Sequence, residues 1–136
     1  MRYEEFIKDP LVRVREAEQG RSLNILIDDE EWIVREAVAN KGYCLDKLIN
    51  DKHPMVRVAV AKQGYGLNIL ITDEDWRVRR AVAEQGYGLY LLIYDEESFV
   101  REEVARQGYR LDILINDQDW IVRRVAKQKE AALCLD

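Results

Sequence analysis

Aspartate and arginine recur six residues apart, close enough to do chemistry together: Asp29 with Arg35, Asp51 with Arg57, Asp73 with Arg79, Asp95 with Arg101 and Asp117 with Arg123. A carboxylate near a guanidinium can serve acid–base catalysis. It can equally form a charge-assisted hydrogen bond that fixes one segment against the next. Five near-identical copies favour the second use, because an active site needs one special place. These ten residues are expected to build a structural ladder. The aspartates would cap helices, and the arginines would bond aspartates of their own or adjacent repeats.

Other chemistry is sparse. His53 is the lone histidine and falls in a register otherwise held by Asp9, Glu31, Asp75, Glu97 and Asp119, so it reads as an exposed helix-start residue. Cys44 and Cys134 lack metal-ligand spacing. The glycines form no phosphate loop. No catalytic residue, cofactor-binding residue or metal ligand is expected. A net charge of −5 and a pI near 5.1 argue against nucleic acid and anionic membranes as partners. Two aromatic series stand out: Tyr43, Tyr65, Tyr87 and Tyr109, and Trp32, Trp76 and Trp120. Such residues suit a binding surface, and they also suit a packing ladder. Both readings stay open.

The elements that position these residues follow from one period. Gly20, Gly42, Gly64, Gly86 and Gly108 are 22 residues apart, and so are six Val-Arg pairs from Val12-Arg13 to Val122-Arg123. Each unit reads as two helices. In one copy Asp73-Glu74-Asp75 supplies a cap and acidic first turn. A longer helix then runs from Trp76 to Gln85, with Val78, Ala81 and Val82 on one apolar stripe. Gly86 stops it in the left-handed conformation. Pro10 and Pro54 share the register of the tryptophans, a first-turn position that suits proline. Leu67, Leu70 and Ile71, at i, i+3 and i+4, predict a short α or 3₁₀ second helix in preference to a strand. A unit this short cannot bury its own apolar face, so neighbours must stack.

Leu-Ile-x-Asp followed by Val-Arg-x-Ala-Val-Ala resembles the leucine-rich repeat variant family, and the Asp-to-Val-Arg spacing also resembles HEAT repeats. The resemblance covers roughly residues 3 to 126. It implies an all-α, right-handed α-solenoid (superhelix) of about six 22-residue two-helix repeats. Gly-Tyr stands where the variant family often carries Asn-Pro. Nothing matches its cysteine-rich iron–sulfur segment, so no cluster is carried over.

A single helical-repeat domain over 1–136 is expected, with an N-terminal cap at about 1–22 and a C-terminal cap at about 123–136. Phe6-Ile7-Lys8-Asp9-Pro10 is a shortened first copy, and Glu130 replaces glycine in the last. No signal segment or membrane-length apolar run is visible, which makes a cytoplasmic location the expectation. The expected function is a non-catalytic scaffold for a protein or peptide, with self-association to form a homo-oligomer compatible with it. The alternatives are a HEAT-like enzyme, resembling DNA glycosylases or lyases, and a structural spacer in a larger assembly. Function should sit where copies differ. One such register, just before the aspartate, holds Asp28, Asn50, Thr72, Tyr94 and Asn116. Another, after Val-Arg, holds Val14, Glu36, Val58, Arg80, Glu102 and Arg124.

Overall fold

A computed structural model describes residues 8–134, and the Phe6-Ile7 start of the first cap lies outside them. Among the described residues there is no strand. The chain is all-α and built from repeated helix pairs. It divides into two compact units, Met1–Gly66 and Leu67–Asp136.

The first unit holds α1 (Pro10–Glu18), α2 (Leu23–Leu26), α3 (Trp32–Asn40), α4 (Leu45–Leu48) and α5 (Pro54–Lys62). The long helices α1, α3 and α5 pack side by side in chain order, and each short helix packs on the long helices flanking it. The second unit holds α6 (Leu67–Leu70), α7 (Trp76–Glu84), α8 (Leu89–Leu92), α9 (Ser98–Arg106), α10 (Leu111–Leu114) and α11 (Trp120–Cys134). There α7 packs on α9 and α9 on α11 in the same way. Each short second element is thus a single α turn, one of the forms that the Leu-x-x-Leu spacing left open.

The ends of the long helices are set by side chains. Asp9, His53 and Asp75 sit at N-caps and accept the amide N–H two residues on. Pro10 and Pro54 occupy the first turn, where their missing N–H leaves no bond unmade. At the other end Gly86 takes φ +73°. Its N–H donates to the Ala83 carbonyl, and the Tyr87 N–H donates to that of Val82. This paired stop satisfies two carbonyls the helix leaves open. The same turn ends α3, α5 and α9 at Gly42, Gly64 and Gly108, all with positive φ.

The core is a repeated layer. Val34, Val38, Leu48, Val56 and Val60 are fully buried in the first unit; Leu70, Val78, Val82, Leu92, Val100, Val104, Leu114 and Val122 are buried in the second. Each such side chain contributes on the order of 2 kcal/mol through burial. Small residues such as Ala39, Ala61, Ala83 and Ala105 let adjacent long helices approach. The last copy departs from the others. With Glu130 in the glycine register, α11 runs on through Cys134.

Candidate functional site: a charged frame and an exposed aromatic patch

Arg35, Arg79 and Arg101 each reach in two directions. Arg35 donates through Nη1 to the carbonyl oxygen of Asp29, six residues back, at 2.7 Å. It donates through Nε and Nη2 to the carboxylate of Asp51, sixteen residues on, at 2.7 and 3.1 Å. Arg79 does the same with the Asp73 carbonyl and the Asp95 carboxylate. Arg101 follows with Asp95 and Asp117. Arg13 makes the forward fork to Asp29. Arg57 and Arg123 make the backward bond, to the Asp51 and Asp117 carbonyls. Each aspartate, in turn, accepts the amide N–H two residues on: Glu31, His53, Asp75, Glu97 and Asp119.

The forward fork is bidentate and largely out of water, with both side chains about one-tenth exposed or less. Burial pushes the Asp51 carboxyl upward. The bonds from Arg35 and the His53 amide, with the charge of Arg35, outweigh that and hold it below the usual carboxylate range. The Arg35 guanidinium is correspondingly pushed up, mainly by its bond to Asp51. These groups are committed to fixing one repeat against the next.

The aromatic series divides. Tyr65 and Tyr87 are exposed, whereas Tyr43 and Tyr109 are half-buried. Trp32 is half-buried and stacks on the ring of His53, with centroids 4.2 Å apart and planes 5° from parallel. His53 is therefore a half-buried cap under a tryptophan, more enclosed than an exposed helix-start residue. Its cap atom is Nδ1, which accepts the Met55 N–H. Trp76 stacks instead on Phe99, centroids 4.9 Å apart. Trp120 is largely exposed.

The surface departs furthest from the common pattern at α8. Tyr90, Leu91 and Tyr94 are 64%, 52% and 74% exposed. Other copies place Asn24, Asp46, Asn68 and Asp112 in the register of Tyr90, and polar residues in that of Tyr94. Tyr87 lies three residues before Tyr90 and is exposed as well. One repeat thus turns Tyr90 and Tyr94 outward where its neighbours turn amides, carboxylates or a hydroxyl; the Leu91 register is exposed and apolar at Ile25 and Ile69 as well. The varied register before the aspartate pointed to Tyr94. Tyr90 and Leu91 were hidden, because Leu-Tyr-Leu-Leu reads as one more apolar turn.

A second departure lies on the long helices. Glu102 and Glu103 of α9 are buried; most other copies carry a small or apolar residue in the register of Glu103, whereas that of Glu102 varies among valine, glutamate and arginine. Glu102 pairs with Arg106, and Glu103 accepts a bond from the Gln107 side chain at 2.9 Å. Both thiols, Cys44 and Cys134, are exposed. Among the described residues no group of three or more His, Cys, Asp or Glu side chains could hold a metal ion, and no helix is long and apolar enough to cross a membrane. No protein-family model matches the chain, and no curated protein matches its sequence.

Proposed function

We propose that this chain is a non-catalytic helical-repeat scaffold, similar to leucine-rich repeat variant and HEAT-like proteins, whose role is to bind a protein or peptide. The observation that carries the reading is the outward face of α8. A frame held by repeated Asp–Arg bonds presents Tyr90 and Tyr94 to solvent at a single repeat, beside the exposed Leu91. Tyrosine offers a large rigid contact area with a polar tip, and it loses little rotamer freedom on binding. Clustered exposed residues of this kind mark interaction surfaces more often than isolated ones do. The charged pairs that could suggest catalysis support the same reading, since their bonding capacity is taken up within the frame. An intracellular, reducing setting suits two exposed unbridged thiols.

The test is affinity capture of a partner from the native host with the intact chain, compared with the Tyr90→Ser/Tyr94→Ser variant. A partner identified by mass spectrometry should be retained by the first and lost by the second. Equal retention would remove the α8 patch from the binding surface.

A further inference from the structure

The long helices of the first unit carry a second surface feature. Leu11, Val14 and Glu18 of α1 stand in register with Ile33, Glu36 and Asn40 of α3, and these six residues with Ala37 line one groove of about 310 Å³. Its floor is apolar. Leu11 is 59% exposed, Val14 and Ile33 are half-buried, and Ala37 is buried. Its charged groups are carboxylates, Glu18 and Glu36, and neither makes a hydrogen bond or ion pair among the described residues. Lys62 of α5 acts on Glu36 only at a distance.

We propose that this groove takes an amphipathic segment of a partner polypeptide, seating a large aliphatic side chain on Leu11, Val14, Ile33 and Ala37 and a lysine or arginine against Glu36. Charge complementarity selects the occupant. An apolar floor edged by two unpaired carboxylates rejects an acidic or purely polar segment and favours an apolar side chain beside a cation. The environment of Glu36 agrees. Burial against the floor pushes its carboxyl up, and the charge of Lys62 offsets this only in part. A cation brought to that carboxylate would restore interactions that burial has removed. The volume accommodates one or two side chains, which fits a short helical or extended motif rather than a small-molecule ligand.

The inference rests on the scaffold reading but names a different surface, so the two fail separately. The probe is a fluorescein-labelled 14-residue peptide of leucines and lysines, titrated with the full chain at moderate salt and followed by anisotropy. Glu36→Gln should weaken binding about tenfold, and Ile33→Ser by a similar factor. Asp46→Asn makes the same charge change on exposed α4 and should leave affinity unchanged. In methyl NMR spectra the probe should shift Leu11, Val14 and Ile33. Equal losses from Glu36→Gln and Asp46→Asn would reduce the effect to net charge and overturn the proposal. Unmoved groove methyls would overturn it too, as would self-association abolished by Glu36→Gln, which would seat a second copy there. Thermal melts of the variants separate lost binding from lost folding.

Discussion

Asp51 shows how one side chain ties three segments together. Its carboxylate receives the Arg35 fork and the His53 amide, and its carbonyl receives Arg57. Removing the carboxylate leaves a guanidinium that is 6% exposed without its main partner. Asp51→Ala should therefore cost about 3 kcal/mol in urea unfolding, because a buried charge stranded by loss of its partner is costly. An unchanged midpoint would show that water replaces the carboxylate freely. The same residue predicts a pH dependence. Its folded pKa is lowered, so the unfolded chain takes up the proton first. Its contribution is complete above the ordinary carboxylate range and is lost as pH falls through the lowered folded value. Stability measured between neutral and acid pH should fall less steeply in Asp51→Asn than in the parent chain.

At the scale of the element, the repeats before the last use the left-handed region twice, once to end the long helix and once to begin the short one. The second position is Ser22, Cys44, Gly66, Gly88 and Arg110, all with φ between +46° and +64°. An L side chain in this region costs roughly 1–2 kcal/mol. Cys44→Gly should therefore raise the melting temperature by a few degrees, the relief of strain exceeding the entropy that glycine adds to the unfolded chain. A lower melting temperature would mean that the thiol's contacts outweigh the strain. The reverse change separates two costs. Alanine at Gly86 meets nothing within 4 Å, so only the backbone term of about 1 kcal/mol applies. Alanine at Gly88 would also drive its Cβ into Ile71 Cδ1, forcing that side chain to move. Gly88→Ala should be the more destabilising of the two in parallel denaturant titrations.

For the molecule as a whole, a strict period makes the frame readable from sequence and hides what departs from it. Val-Arg, Leu-Ile and Gly-Tyr each mark a structural position, because every copy solves the same problem of burying one face on its neighbours. The left-handed start of the short helix was not legible, since Ser22, Cys44 and Arg110 hold it alongside two glycines and no single residue type marks the register. The sequence anticipated arginines bonding aspartates of their own or adjacent repeats but not which, because spacing alone does not say which aspartate a long side chain chooses; the structure gives the carboxylate of the next repeat and the carbonyl of their own. The groove over α1 and α3 needed the backbone to bring residues 22 apart into one line. Such a frame has a further consequence for how damage spreads. In an array whose repeats touch only their neighbours, stability is a sum of unit and interface terms. Asp51→Ala breaks the bond from Arg35 of α3 to the turn that leads from α4 into α5. Hydrogen exchange should therefore accelerate most in α3, α4 and α5, while the amides of α9 and α11 keep their protection. Uniform acceleration across all the long helices would instead reveal a single cooperative unit, in which one bond's loss is shared by the whole chain.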